Sequence, residues 1–579
     1  MSKSSGKDAV KKTTKPKKTI KYDDKPWLQH YSSWVPERID YKEILIHEYL
    51  ENSAGKYPDN IALIFMGYKV SFRELHDMVD RFATCLTDFG VKKGDAVAVI
   101  LPNCIPCVVA YYAILKIGAI AVMNNPLYSD RELQYQYTDS GSKVLITLDL
   151  LANRMIDMRP RTKIKQIVST SMGDYLPFPK SALFPLVAKK KGLAADVKQA
   201  ENVYSWKELL KKYPANPPKV TLKFDDTAVY QYTGGTTGVA KAAILTHKNL
   251  SCMIQMYHTW FNEQDAVETA LAAPPFFHVL GMSAAMNLPL SKGWKNILIP
   301  RPQPKELLEA VRKYQPTLTP LVPTMYVGIL EHPDLKKTSL KSFKIMTSGG
   351  SSLPVEVLNK FKELTGVNIN EGFGMTETSP QTHLNPYKGV SKVGSIGIPY
   401  PDTDVRIVDI ETGKKEVPAG EEGEMIFRGP QITKGYLNKP EETRKAIRNG
   451  WLYSGDIAYM DEDGYFFIVD RKKDLIISSG YNIYPREIDE VLYEHPKVLK
   501  AAAIGVPDPK RGEKIKVFVV LKDGMTATAD EIMEYCRQKL GKYKWPSEIE
   551  FRTQLPESTV GKILRKELRA EELAKRTKK

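Results

Sequence analysis

A chain of 579 residues, 42% hydrophobic and 9% aromatic, can bury a large core; this excludes wholesale disorder and fits three or four domain-sized units, or fewer in a large α/β enzyme. Its formal net charge of +16 is largely local, since Met1 to Tyr22 carries eight lysines against one aspartate and hardly any apolar side chains. A charge held in a solvated tail is a poor basis for nucleic-acid binding, and none is expected.

That tail, residues 1–25, is expected to be disordered. It has no apolar h-region, and it is serine-rich without arginine, so neither a secretory signal nor a mitochondrial presequence fits; a cytoplasmic enzyme is expected. "FRELHDMVDRFATCLTDFG" has helical spacing and "DAVAVILP" that of a buried strand. "CIPCVVAYYAILKIGAIAVMNNPLY", Cys104 to Tyr128, comes nearest to a membrane span, but Lys116 and Gly118 interrupt it, and a buried helix followed by a buried strand is the better reading. Cys104 and Cys107 form a C-x-x-C with no second pair at zinc-finger spacing, and with Cys85, Cys252 and Cys536 they are too scattered for a disulfide framework. They read as buried thiols.

"SKVLITL", "NILIP" and "FKIMTSGG" continue the alternation of short strands with helices, which predicts α/β layering with largely parallel strands. "MGDYLPFPKSALFPLVAKKK", Met172 to Lys191, is apolar, proline-bearing and closed by three lysines. It suits the headgroup boundary of a membrane, with an insertion packed on the protein as the alternative. From about residue 395 to 471, β-branched runs joined by "ETGK" and "PAGEEGE" predict a small antiparallel, β-barrel-like subdomain. The expected organisation is a large domain over 26–471 and a small α+β domain over 472–579.

The strand "DTAVYQYT" runs into Gly234-Gly235-Thr236-Thr237-Gly238 and then Lys241. Glycines let backbone N–H groups close on an anion, threonine hydroxyls donate to oxygens and lysine adds a cation, which is chemistry for phosphates. Val239 and Ala240 separate the last glycine from the lysine, so the P-loop pattern of NTPases fits poorly. Alone, the loop is equally a plain turn.

Its company changes that. "YTGGTTGVAK" resembles the phosphate loop of the adenylate-forming superfamily of acyl-CoA synthetases, adenylation domains and luciferases. "PFFHVLGM", "TSGGSSLP", "EGFGMTET", "YSGD", "VDRKKDLIISSGYNIYPREID" and "GKILR" follow in the family's order from Tyr232 to Arg565. The resemblance implies a large layered α/β domain followed by a mobile α+β C-terminal domain, with ATP, Mg²⁺ and coenzyme A as small-molecule partners of a carboxylic acid. It assigns Thr233 to Lys241 to the β- and γ-phosphates, Thr376 to the α-phosphate, and Glu377 with Thr236 to the metal. Gly350, Ser351 and Ser352 form one wall of an adenine slot and Gly372, Phe373 and Gly374 the other; Phe373 stands where most members have tyrosine, which keeps the stacking and loses the hydroxyl. Asp456 holds the ribose beside Ile468 and Arg471, and Lys562 is the catalytic lysine. His278 takes part in catalysis and, with Met282, Gly349, Gly350 and Gly374, lines the acyl pocket. Lys473 is the hinge, and Ser479, Gly480 and Tyr481 border the coenzyme A passage.

"TGGTTGVAK", "NNPLYSDRELQYQYTDSGSK", "SGYNIYPREID", "KPWLQHY" and "PERIDY" further resemble the long-chain fatty-acyl-CoA synthetase branch. The implied activity is conversion of a fatty acid to its acyl-adenylate and then to acyl-CoA. A medium-chain or aryl ligase, an adenylate-only ligase and a catalytically silent membrane scaffold are the alternatives; peripheral membrane contact and oligomeric state stay open.

Overall fold

Helix Phe72–Asp88 shows how local sequence sets an element. Ser71 and Glu74 form a capping box, with Glu74 N donating to Ser71 Oγ (3.2 Å) and Ser71 N to Glu74 Oε2 (2.8 Å). Phe72, Leu75, Val79, Phe82 and Leu86 then recur on one buried face. Helix Ile105–Lys116 differs in being buried all round from Ile105 to Leu115. It ends on Lys116, whose ammonium pairs with Glu51 (2.9 Å) and Asp80. Among the described residues, no helix is long and apolar enough to cross a membrane. This computed structural model describes residues 20–188, 192–233, 240–478, 480–558 and 561–577.

Two sheets form the body of the large domain. In the first, strands run in the order Val203–Ser205, Gln166–Thr170, Val144–Leu148, Ala96–Ile100, Ile120–Met123, Thr227–Thr233, Lys241–Thr246. All its neighbours are parallel except the last pair, an antiparallel hairpin in which Thr233 faces Lys241. The second has parallel strands at its centre, Leu318–Leu321, Ile345–Ser348 and Asn370–Phe373 among them, and antiparallel pairs at both edges. Ser348 is in register with Glu371, so the loops "GGSS" and "GMTE" leave the same carboxyl edge. That edge is where ligands bind in open α/β sheets.

An antiparallel sheet built from Asp404–Val408, Gly423–Arg428, Ile447–Arg448, Trp451–Met460 and Phe466–Arg471 follows, and its register sets Asp456 opposite Arg471. The C-terminal part packs helices Pro485–Tyr493, Ala529–Lys539 and Arg565–Thr577 on a sheet centred on Val498–Asp508 and Gly512–Leu521. Expected disorder up to residue 25 is corrected for Ile20–Lys25, where Tyr22 is buried and Lys25 pairs with Glu37 (3.0 Å). An aromatic anchor and a compensated charge hold this stretch, and Trp27 follows, buried against Phe466.

Candidate active site

The carboxyl edge of the second sheet, the Asp456–Arg471 pair and the C-terminal domain enclose two adjoining cavities. One, of about 310 Å³, is lined by Thr233, Lys241, His278, Gly349, Gly350, Gly372, Phe373, Gly374, Thr376, Glu377, Tyr436, Arg471 and Lys562. The other, of about 200 Å³, shares Gly350, Gly372, Phe373, Gly374, Arg471 and Lys562 and adds Ser351, Ser352, Glu371, Asp456 and Ile468. Residues far apart in the chain thus meet in one place. The loop residues Gly234, Gly235, Thr236, Thr237 and Gly238, and Ser479, lie outside the described residues.

Glycine makes the flat wall possible. A Cβ on Gly374 would overlap the Pro380 carbonyl, and one on Gly372 would meet Gln381 Nε2 at 2.8 Å and the His383 carbonyl at 2.9 Å. The segment after "GMTE" folds back over these positions and holds the Phe373 ring against His383 (6.3 Å between centroids) and Phe427 (5.9 Å). Beside it, Glu377 is buried, and its Oε1 accepts from Tyr436 Oη at 2.7 Å. The Lys241 ammonium lies 5.3 Å from the centroid of the same tyrosine ring and pairs with Glu442.

Asp456 is buried, with Oδ1 on Arg471 Nε at 2.8 Å and Oδ2 without a hydrogen-bond partner among the described residues. A buried carboxylate oxygen left unpaired is costly unless a donor arrives, and a hydroxyl-bearing ligand supplies one. Lys562 lines both cavities, its backbone tied to Ser558, whose N donates to the Lys562 carbonyl (2.8 Å) and whose Oγ accepts from Lys562 N (3.1 Å). Gly561, at φ +70°, is so close to Thr324 of helix Pro323–Glu331 that a Cβ would overlap that side chain. The nearby Arg471 guanidinium, and then removal from water, push the Lys562 ammonium down to about 7. Burial, reinforced by Lys562, pushes His278 down to about 4, so its imidazole is neutral; Nδ1 accepts from Leu280 N (3.3 Å), leaving the proton on Nε2. The first cavity sets Lys241, Arg471 and Lys562 against Glu377, an excess of cationic groups that suits a polyanion.

Other expected site residues lie elsewhere. Met282 is fully buried in the π-helix Gly281–Asn287 and is absent from both cavity walls, because the helix turns it into the core behind His278. Lys473 sits in the turn after strand Phe466–Arg471, where burial and then Arg471 lower its pKa. Gly480 takes φ +83° with open space around it, and Tyr481 is 56% exposed on the small domain, its ring 5.0 Å from that of Tyr543. Asp470 accepts from Arg471 N (2.7 Å) and from Arg486 N (2.8 Å), and Arg486 Nη1 donates to the Ile468 carbonyl (2.5 Å).

Two residues at the site escaped sequence reasoning. Glu371 opens the quoted "EGFGMTET", but its burial was not visible there; Oε1 accepts from Leu353 N (3.1 Å), Oε2 has no hydrogen-bond partner among the described residues, and burial, opposed by Arg486, pushes the carboxyl up to about 7. Tyr436 comes from a loop distant in sequence, and no local pattern marks it.

The AMP-binding enzyme family model matches residues 50–437, and that for the AMP-binding enzyme C-terminal domain matches 487–562. The chain belongs to the AMP-binding enzyme family. A long-chain-fatty-acid–CoA ligase of Bacillus subtilis (strain 168) is 45% identical over 552 residues, which is 95% of this chain and 98% of that protein. One from Escherichia coli O6:H1 is 37% identical over 94% of this chain and 98% of its own length. Among solved structures of AMP-binding enzymes, the anthranilate CoA ligase AuaEII with anthranoyl-AMP superposes with a TM-score of 0.82 at 26% identity, covering 96% of this chain and 99% of that one. ATP-bound MatB from Rhodopseudomonas palustris gives 0.77 at 28%, covering 91% and 99%.

Proposed function

We infer that this protein is an ATP-dependent fatty-acid–CoA ligase of the long-chain class. The observation that carries the reading is the joined cavity, where a glycine-walled slot, a carboxylate with one oxygen unpartnered among the described residues and a lysine from a second domain converge, in a chain nearly half identical to a long-chain ligase. In the first half-reaction, a carboxylate oxygen of the fatty acid attacks the α-phosphorus of ATP and pyrophosphate departs. Negative charge builds on the phosphoryl oxygens, where Thr376 donates and Lys562 and Arg471 supply positive charge. Phe373 stacks on adenine, Asp456 Oδ2 accepts from the ribose, and the neutral His278 faces the acyl carboxylate. Arrival of the triphosphate raises the Lys562 pKa again, so the lysine is charged when it is needed.

Glu377 fits a divalent cation. Among the described residues no cluster of three metal-ligating side chains exists, and a single buried carboxylate beside a phosphate site is the donor set Mg²⁺ uses, phosphate oxygens and water completing it. Bound there, with Thr236 proposed alongside, Mg²⁺ would neutralise phosphate charge. In the second half-reaction the thiolate of coenzyme A attacks the acyl carbonyl carbon and AMP leaves with the electrons of the broken C–O bond. This calls for the small domain, 472–579, to turn about Lys473 relative to 26–471, so that Lys562 withdraws and Gly480 and Tyr481 border the thiol's path. Lys473→Pro is expected to retain adenylation and to slow thioester formation by more than about tenfold; equal loss of both would refute the hinge.

A saturated fatty-acid series with ATP, Mg²⁺ and coenzyme A, read by pyrophosphate release and acyl-CoA mass, tests the whole reading. Maximal turnover is expected on long-chain acids. A maximum on aromatic acids would favour the feruloyl-CoA synthase of Amycolatopsis, which is 34% identical over 88% of this chain.

A further inference from the structure

We propose that Glu442, on helix Pro440–Ala446, is a positioning residue that competes with the triphosphate for Lys241 and thereby speeds the departure of pyrophosphate. The proposal rests on the ligase reading, which sets the β- and γ-phosphates beside Lys241. The fold itself builds this pair. Lys241 opens strand Lys241–Thr246, where its register opposite Thr233 fixes it at the end of the hairpin. The segment preceding the helix lies along that strand: Ile244 N donates to the Gly435 carbonyl (2.9 Å) and Leu437 N to the Ala242 carbonyl (2.9 Å). Thr443 then ties helix to segment, since its Oγ1 accepts from Tyr436 N (2.9 Å) and a Cβ on Gly435 would overlap its side chain. Glu442, adjacent to Thr443, is thereby set on the Lys241 ammonium, with the lysine side chain 17% and the glutamate 26% exposed.

Lys241 lines the first cavity and Glu442 does not, so the glutamate reaches a bound phosphate through the lysine. Its hydrogen bonds to Lys241 and then to Lys445 (3.1 Å) hold its carboxyl below the usual carboxylate range, and it is ionised at neutral pH. The other carboxylate nearby has its own partner, because Tyr436, whose ring lies 5.3 Å from the Lys241 ammonium, donates its hydroxyl to Glu377 Oε1 (2.7 Å). Among the described residues, Glu442 is therefore the carboxylate paired with Lys241. Once AMP has been transferred, the pyrophosphate left behind is still held by the cations that favoured its formation. An ionised carboxylate within reach gives the ammonium another partner as each phosphate contact breaks. ATP binds more weakly for the same reason, and the product leaves sooner.

The test titrates inorganic pyrophosphate with Mg²⁺ calorimetrically into full-length wild type, Glu442→Gln and Glu442→Asp, and follows its displacement by excess ATP in stopped flow. Glu442→Gln is expected to bind pyrophosphate about tenfold more tightly and to release it correspondingly more slowly, with KM for ATP lowered severalfold. Glu442→Asp keeps the charge and should return these values most of the way to wild type. A glutamate that merely supported the fold would weaken binding when replaced, so the expected gain in affinity cannot come from a damaged structure. Pyrophosphate affinity that is unchanged or reduced in Glu442→Gln would overturn the proposal. Tighter pyrophosphate binding in that variant, with no acyl-CoA formed by wild type from any acid, would support the competition for Lys241 and overturn the ligase reading instead.

Discussion

Glu377, Phe373 and Gly350 stand at the carboxyl ends of strands within a large sheet, whereas Lys562 stands on a turn that touches the large domain through Gly561 and Thr324. The first group is held by close backbone approach and by partners within the same domain, as with Glu377 on Tyr436. The second is held by contacts between segments, with Asp470 accepting from Arg486 N at the start of helix Pro485–Tyr493. Under the proposed function, one region is a fixed mould and the other a part that leaves between the half-reactions. Damage to the mould should therefore impair both half-reactions together, and damage to the moving part should separate them.

The largest separation is expected from Lys562→Ala, which should slow pyrophosphate exchange by about a thousandfold, as loss of a charge-stabilising donor does. Conversion of supplied acyl-adenylate and coenzyme A to acyl-CoA should change severalfold at most; equal losses would erase the distinction between the regions. Gly374→Ala attacks the mould. Overlap with the Pro380 carbonyl should cost about 2 kcal/mol of stability, seen in denaturant unfolding, and lower both half-reactions in step.

A pH series sharpens the comparison. With Lys562 at about 7 in the free enzyme, its charged form is present below that value and lost above it, so kcat/KM for ATP in adenylation should fall as pH rises through about 7. Bound triphosphate restores the charge, so kcat should hold to higher pH. In Lys562→Arg the alkaline fall should vanish, because a guanidinium keeps its proton. The smallest effect is expected from Tyr484→Phe. Tyr484 Oη donates to Glu422 Oε2 (2.5 Å) across the two domains, at an exposed site. Its loss should favour thioester formation over adenylation by about threefold, measured as the ratio of the two rates.

Much of the mould was legible because its constraints are local. "GGSS" and "GFGMTE" must be small and flat wherever they occur, and the alternation of strands and helices set the layers that carry them. Thr376, Glu377, Asp456 and Lys562 were singled out by the resemblance of their motifs to those of the adenylate-forming superfamily. Lys562 itself, one lysine among many in its segment, has no local feature to distinguish it from a solvated charge. Glu371 and Tyr436 were missed because their roles depend on what packs over them from distant segments, Leu353 on one and Glu377 beside the other. Met282, assigned to the acyl pocket by the resemblance, lies in the π-helix Gly281–Asn287, buried in the core and outside the walls of both cavities.

The sequence by itself determined the layered α/β class, the phosphate-directed composition of residues 233–241 and the motif set of an adenylate-forming enzyme, since periodicity, turn chemistry and short spacings act over a few residues. Tertiary structure alone decided which charges meet: Arg471 beside Lys562, and Asp456 with one oxygen unpartnered among the described residues. Electrostatic coupling and burial depend on distances through space, and these are set only when segments hundreds of residues apart pack together.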